Sequence, residues 1–140
     1  MKLYIGTDHR GFALKNELVP WLTEQGHQVL DLSAPSMQPD DDYPPIAFAV
    51  AQAVAEDMGG RGIVFCGSGI GVSVAANKIE GVRAAVGHTV EEVKAARNDD
   101  DINVLAVAAD FTQSEDAQRV LTAFIETPFS KLERHARRIA

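Results

Sequence analysis

The 140-residue sequence contains only one cysteine, Cys66. A lone cysteine cannot form an intramolecular disulfide, and no group of Cys and His residues has the spacing of a zinc site. We therefore expect a protein of a reducing compartment, the cytoplasm, that holds no metal ion.

Basic residues are also scarce, with 13 Lys and Arg against 20 Asp and Glu and a formal net charge of −7. A nucleic-acid-binding protein needs a basic surface to neutralise phosphates, so this balance argues against a nucleic-acid partner. No apolar run approaches the length of a membrane span, and the opening residues 1–8 are too short an apolar run for the core of a signal peptide. The sequence thus predicts neither nucleic acid nor a membrane as a partner.

Apolar residues, by contrast, make up 46% of the chain, enough to bury a core without disulfides or metal. The sequence has no internal repeat, no low-complexity tract and no linker that would divide it. We expect a single domain over residues 1–140.

Short apolar runs alternate with amphipathic stretches, a pattern typical of βαβ units around a parallel sheet buried on both faces. The predicted strands cover residues 3–6, 28–32, 62–66, 82–86 and 103–107. The predicted helices cover residues 12–25, 46–58, 71–78, 90–97 and 114–125, with a last one after Pro128. This order predicts an α/β fold, a Rossmann-like three-layer αβα sandwich with a five-stranded parallel sheet. Residues 33–45 form the one long loop, either functional or a solvated acidic turn.

Two polar segments follow predicted strands, at the carboxyl ends where ligands of α/β sheets bind. The first strand runs into residues 6–11 (GTDHRG) and the third into residues 66–71 (CGSGIG). A carboxylate, an imidazole, a thiol and a hydroxyl would therefore share one edge. The polar run at residues 98–101 (NDDD) precedes the fifth strand, so it should lie toward the opposite edge and reach a site more easily in a partner subunit.

In the second segment, glycine occupies every other position, at Gly67, Gly69 and Gly71. Such a segment can turn tightly before a helix and direct several N–H groups at an anion. Its spacing differs from the dinucleotide motif G-x-G-x-x-G, and no P-loop lysine follows. The sequence indicates an anion cradle, with a strand-to-helix turn whose glycines serve only packing as the alternative.

Several side chains around these segments have both a structural and a chemical interpretation. Cys66 could be a small core residue or, close to backbone N–H groups, a base or nucleophile. Asp8 could cap the following helix and still act on a substrate. Arg134 and Arg138, four residues apart on one helical face, could hold a phosphate or simply form a basic helix end.

Together these motifs resemble the type B ribose-5-phosphate isomerases and the related galactose-6-phosphate isomerase subunits over almost the whole chain. The matching segments are residues 6–15 (GTDHRGFALK), 42–44 (DYP), 62–71 (GIVFCGSGIG), 75–78 (AANK), 81–84 (GVRA), 103–105 (NVL) and the tail 134–138. The resemblance implies an aldose–ketose isomerase that needs no metal or organic cofactor and interconverts ribose 5-phosphate and ribulose 5-phosphate through a cis-enediolate. It also implies a homodimer, or a tetramer, whose active sites are shared between subunits.

The resemblance further implies a role for each site residue. The Cys66 thiolate would move the proton, while Ser68, which stands where the family usually has Thr, would bind the developing oxyanion together with backbone N–H groups. Asp8 would assist opening of the sugar ring. The residues implied to bind the substrate or its phosphate are His9, Asp42, Tyr43, Gly67, Gly69, Ile70, Gly71, Arg134 and Arg138.

Three acidic residues depart from the family pattern. Asp99, Asp100 and Asp110 stand where the family typically has His, Asn and a phosphate-binding Arg. Asp99 remains a candidate catalytic acid and Asp100 a candidate substrate contact. Uncompensated, the added negative charge should weaken binding of a sugar phosphate. The residues that could supply a compensating cation are Arg10, Lys94 and Arg97.

These departures leave two alternatives open. One is an isomerase for another sugar phosphate, a tetrose or a hexose 6-phosphate. The other is a non-catalytic anion-binding relative that keeps the fold.

Overall fold

The computed structural model describes all 140 residues, and its strands form one parallel sheet. The strand order is β2-β1-β3-β5-β4, and every neighbouring pair runs parallel. The strands are β1 (Lys2–Thr7), β2 (Gln28–Asp31), β3 (Arg61–Cys66), β4 (Ala84–Val86) and β5 (Val104–Ala108). The predicted α/β class and five-stranded parallel sheet are confirmed.

Helices cover both faces of this sheet. They are α1 (Phe12–Glu24), α2 (Tyr43–Glu56), α3 (Ile70–Ala76), α4 (Val90–Asp100), α5 (Ser114–Glu126) and α6 (Glu133–Ile139). Helices α1, α4 and α5 pack on one face, and helices α2 and α3 pack on the other. This is the predicted three-layer arrangement. None of the helices combines the length and the apolar character needed to cross a bilayer.

The central strand β3 shows why the sheet has two cores. Successive side chains of a strand point to opposite faces. Ile63 and Phe65 accordingly pack toward α1 and α5, while Val64 and Cys66 pack toward α2 and α3. The alternation places the Cys66 side chain on the same side of the sheet as the helix that follows it.

Most element boundaries differ from the prediction by one or two residues, and three of the differences bear on the site or its acidic run. Helix α2 begins at Tyr43, three residues earlier than expected, so the loop after β2 ends at Asp42. Its first turn accepts Pro44 and Pro45 because the N–H groups there have no helical partner to lose. Strand β4 begins at Ala84 rather than at residue 82. Helix α4 continues past residue 97 to Asp100, which puts the acidic run on its last turn.

Leu105→Ala should reduce the free energy of unfolding by about 2–5 kcal/mol, because this side chain of β5 is wholly buried and its removal leaves a cavity. Urea denaturation followed by circular dichroism measures the loss. Met58→Ala is the control: this side chain is fully exposed, and its truncation should change stability by less than about 0.5 kcal/mol. Equal losses for the two variants would contradict this packing.

Candidate active site

A cavity of about 540 Å³ opens at the carboxyl ends of β1, β3 and β5. Its lining residues are Asp8, Arg10, Tyr43, Cys66, Gly67, Ser68, Ile70, Gly71, Asp110 and Phe111. The two segments singled out in the sequence therefore meet at one place. Nowhere in the chain do three His, Cys, Asp or Glu side chains lie close enough together to hold a metal ion.

A larger cleft of about 860 Å³ lies on the face covered by α1, α4 and α5. Lys94 and Arg119 are among its lining residues, but it has no thiol or imidazole and no part of the glycine-rich segment. Volume alone would favour this cleft. The chemistry favours the smaller cavity, because a thiol, a hydroxyl and a buried carboxylate converge there.

The turn from β3 into α3 shapes the floor of the cavity. Cys66 is the last residue of β3 and is 5% exposed. Gly69 has a φ of 73°, and a Cβ there would lie 3.1 Å from the backbone N of Ala108. Only glycine fits both the left-handed backbone and the close approach to β5. The Ser68 Oγ accepts a hydrogen bond from the Ile70 N–H at 3.1 Å, which fixes the start of α3.

The ring of Tyr43 lies against the same turn. A Cβ on Gly71 would lie 2.6 Å from the ring carbon Cζ of Tyr43. The ring therefore rests directly on the backbone of Gly71, and a side chain there would displace it. This contact exists because α2 begins at Tyr43, the boundary that the sequence pattern misplaced.

Asp8 lies at the end of β1 and is 5% exposed. Its Oδ1 accepts a hydrogen bond from the Arg10 N–H at 3.0 Å and so caps the short 3₁₀ turn His9–Gly11. Burial raises the pKa of its carboxyl, although the backbone hydrogen bond partly offsets this. The expected capping role is present, and the raised pKa brings the group closer to the range of a general acid.

His9 is held by a carboxylate that sequence reasoning did not single out. Its Nδ1 lies 2.9 Å from Oδ1 of Asp41, and its backbone N–H donates to the same oxygen at 2.8 Å. The hydrogen bond that Asp41 accepts from the His9 ring raises the pKa of His9, which favours the imidazolium form. Asp42, the residue expected at the site, is exposed and does not line the cavity. The run 40–42 contains three adjacent aspartates, so only tertiary contacts distinguish them.

Arg10 and Asp110 form an ion pair across the mouth of the cavity. Of the three residues that the sequence suggested as compensating cations, only Arg10 lines this cavity. Lys94 lines the larger cleft. Arg97 is 4% exposed, donates to Asp101 and to backbone carbonyls, and lines a different cleft.

The other predicted site residues lie elsewhere in the chain. Asp99 and Asp100 occupy the last turn of α4, and Arg134 and Arg138 lie on α6. The buried His135 joins these helices: its Nδ1 lies 2.7 Å from Oγ of Ser130 and its Nε2 lies 3.8 Å from Oδ1 of Asp99.

This second group lies toward the amino ends of the strands, as the sequence predicted for residues 98–101. Asp101, which ends α4, lines a cleft together with Met1 and Gly60, next to the starts of β1 and β3. A strand of five or six residues, on the order of 15–20 Å long, separates the two edges of the sheet. One copy of the chain does not bring the two groups together.

Comparison with known proteins finds similarity over almost the whole chain. Residues 3–140 match a family model described as Ribose/Galactose Isomerase. The chain is 39% identical over 139 residues to ribose-5-phosphate isomerase B of Mycolicibacterium paratuberculosis, covering 99% of this chain and 87% of that protein. It is 38% identical over 138 residues to ribose-5-phosphate isomerase B of Escherichia coli, covering 99% and 91%.

Solved structures of such proteins share the fold. Ribose-5-phosphate isomerase B from Mycoplasma genitalium, with bound ribulose 5-phosphate, matches with a TM-score of 0.94 and 34% identity, covering 99% of this chain and 91% of that one. The type B ribose 5-phosphate isomerase of Trypanosoma cruzi matches with a TM-score of 0.93 and 37% identity, covering 99% of this chain and 91% of that one. The similarity thus covers both cores and both groups of polar residues.

Asp41→Asn should lower the pKa of His9 toward the ordinary histidine value of about 6.5, because the amide removes the charged acceptor at Nδ1. Titration of the imidazole resonances by NMR, with His9→Gln to assign them, measures the change. Asp40→Asn alters the adjacent, exposed carboxylate and should leave the pKa of His9 unchanged.

The sign of the accompanying stability effect follows from the raised pKa of His9. The interaction with Asp41 stabilises the folded protein fully below the unfolded pKa and is lost as pH rises through the folded value. The difference in stability between wild type and Asp41→Asn should therefore shrink as pH increases. A difference that grows with pH would contradict the pairing.

Proposed function

The chain belongs to the ribose/galactose isomerase family, and we propose that it interconverts ribose 5-phosphate and ribulose 5-phosphate with the Cys66 thiolate as the base. It is thus an isomerase, an intramolecular oxidoreductase. The observation that carries the proposal is the position of Cys66, at the end of β3, on the wall of the cavity formed by the glycine-rich turn. Enzymes named for this reaction match it from end to end.

The chemistry is a transfer of one proton between neighbouring carbons. The Cys66 thiolate takes the proton from C2 of the open-chain aldose, and the electron pair moves onto O1 to give the cis-enediolate. The hydroxyl proton on O2 passes to O1, and the thiol returns its proton to C1 as the carbonyl forms at C2. Ser68 and the N–H groups of the turn bind the oxygen on which negative charge develops, a contribution of about 3–4 kcal/mol per donor in other enzymes.

Asp8 is proposed to assist opening of the furanose ring. It lines the cavity beside Cys66. Burial raises the pKa of its carboxyl, which brings the group closer to the range of a general acid. Tyr43 lies on the same wall, against Gly71, and would bound the sugar.

The phosphate is proposed to bind between two copies of the chain. His9, positioned by its hydrogen bond to Asp41, contributes from one copy. The α6 helix of the second copy contributes Arg134 and Arg138. The last turn of α4 in that copy brings Asp99, proposed as an acid in ring opening, and Asp100, proposed to contact the sugar hydroxyls.

Exposed apolar side chains near the cavity support a homodimer. Ile70, Val74 and Phe111 are 59%, 56% and 80% exposed, and Ile70 and Phe111 line the cavity itself. Large apolar side chains grouped on a surface are typical of a protein interface. A second copy on this face would cover them and, by two-fold symmetry, complete two equivalent sites. A reduced thiol is needed for the reaction, which agrees with the proposed cytoplasmic location.

A different sugar phosphate is the second candidate substrate, because Asp99, Asp100 and Asp110 differ from the family pattern. An open-chain tetrose phosphate needs no furanose ring opening. A steady-state assay that compares ribose 5-phosphate with erythrose 4-phosphate, allose 6-phosphate and galactose 6-phosphate separates the two. The proposed function requires the highest kcat/KM for ribose 5-phosphate.

Cys66→Ala should lower kcat for ribose 5-phosphate by about 10²–10⁴-fold, because the proton loses its acceptor. The Kd for substrate, measured by isothermal titration calorimetry, should change far less. Ser73→Ala is the control, since this hydroxyl lies on α3, 3.5 Å from the carbonyl of Ala84, and its loss should leave kcat within about twofold. Turnover near wild type in Cys66→Ala would rule out the proposed base.

Mixing two impaired variants tests the shared site. Cys66→Ala and the double variant Arg134→Ala/Arg138→Ala should each have little activity. Unfolded together and refolded, they should recover about a quarter of wild-type activity, because half of the dimers are mixed and each of these has one intact site. Each variant refolded alone is the control. No recovery in the mixture would show that each chain builds its site alone.

A further inference from the structure

The ion pair between Arg10 and Asp110 has no role in the reaction as proposed above, although both residues line the cavity. Asp110 accepts from Nη2 of Arg10. No atom of the chain accepts a hydrogen bond from Nε or Nη1, and the Arg10 side chain is 56% exposed. The guanidinium therefore has one edge on Asp110 and a second edge free to receive a ligand.

Three strand ends build this pair. Arg10 comes from the turn after β1, and Asp110 from the 3₁₀ turn Ala109–Phe111 after β5. Between them lies Gly67, which follows β3. A Cβ on Gly67 would lie 2.6 Å from Nε of Arg10 and 2.8 Å from Oδ2 of Asp110. The Asp110 N–H also donates to the carbonyl of Gly67 at 3.1 Å, which fixes the carboxylate relative to the cavity floor.

The free edge of the Arg10 guanidinium matters because the other charged side chains near the cavity are mostly carboxylates. Asp8 and Asp110 line the cavity with carboxylates, and the imidazole of His9, in the same turn as Arg10, already faces Asp41. A phosphate dianion entering such surroundings needs unoccupied N–H donors. Within one copy, Arg10 is the only Lys or Arg side chain that lines the cavity. A guanidinium can bind a carboxylate on one edge and phosphate oxygens on another because its five N–H donors lie in one plane.

We propose that Arg10 is a phosphate-binding residue of this chain and that Asp110 is a positioning residue that holds its guanidinium over Gly67. The inference rests on the proposed function in taking the ligand to be a sugar phosphate. It also explains how a carboxylate is accommodated on the wall of an anion site. Asp110 acts on the phosphate through Arg10, and its own charge is compensated by that residue.

The first test measures phosphate binding without turnover. Arg10→Ala should raise the Kd for inorganic phosphate, determined by calorimetry, about tenfold or more, as expected for the loss of charge-assisted hydrogen bonds. The KM for ribose 5-phosphate should rise similarly, with kcat within about threefold of wild type. Arg119→Ala is the matched control, because it removes another exposed, ion-paired arginine from the larger cleft. It should change neither quantity.

The second test is a double-mutant cycle on Asp110. Asp110→Asn alone should raise the phosphate Kd severalfold, because Arg10 loses its anchor. In the Arg10→Ala background the same change should lower the Kd, because only repulsion of the phosphate is then removed. If Asp110 served only to stabilise the fold, the effect of Asp110→Asn on the phosphate Kd would have the same sign in both backgrounds. Arg10→Ala/Asp110→Arg should restore much of the affinity, since an arginine at 110 would reach back over Gly67.

The outcomes separate this inference from the proposed function. A phosphate Kd within twofold of wild type in Arg10→Ala would overturn the role of Arg10, whatever sugar the enzyme converts. A lower Kd for Asp110→Asn in both backgrounds would overturn the positioning role. If Arg10→Ala weakens phosphate binding in a protein that does not convert ribose 5-phosphate, the phosphate site stands and the substrate assignment fails.

Discussion

Parallel pairing of β1, β3 and β5 is the constraint on which the rest of the structure depends. The register aligns Thr7 with Phe65 and Cys66 with Ala108, so three chain segments distant in sequence leave the sheet at the same edge. The carboxylate after β1, the thiol at the end of β3 and the ion-paired aspartate after β5 meet for this reason. The close approach of Gly69 to β5 then closes the floor of the cavity.

Charge pairing decides how an acidic protein can present an anion site. The chain carries a net charge of −7, and the two basic residues of the turn after β1 are each held by a carboxylate. His9 faces Asp41, and Arg10 is bonded to Asp110. Such a partner orients the cation and, for His9, raises its pKa, at the cost of part of its charge. In the site as proposed, affinity for a phosphate would depend on donors with a free edge and on cations from a second copy.

The two polar groups at opposite edges of the sheet follow from the same topology. Helices α4 and α6 meet through His135 near the amino ends of the strands, while Cys66 lies at the carboxyl ends. Because a rigid sheet separates them, conformational change within one copy cannot unite them. Assembly with a second copy is the simpler way to complete a site, and the apolar side chains of Ile70, Val74 and Phe111 would lie at the interface.

Strand and helix order, the glycine-rich turn and the edge at which Cys66 lies could all be derived from the sequence, because hydrophobic periodicity and glycine spacing are local properties. The family could be recognised for a related reason, since its motifs are short and contiguous. Only the tertiary structure decided that Asp41 rather than Asp42 pairs with His9, that Tyr43 packs on Gly71, and that Arg10 rather than Lys94 or Arg97 reaches the cavity. These are choices among chemically equivalent neighbours. They depend on distances between segments brought together by the sheet, which no local pattern encodes.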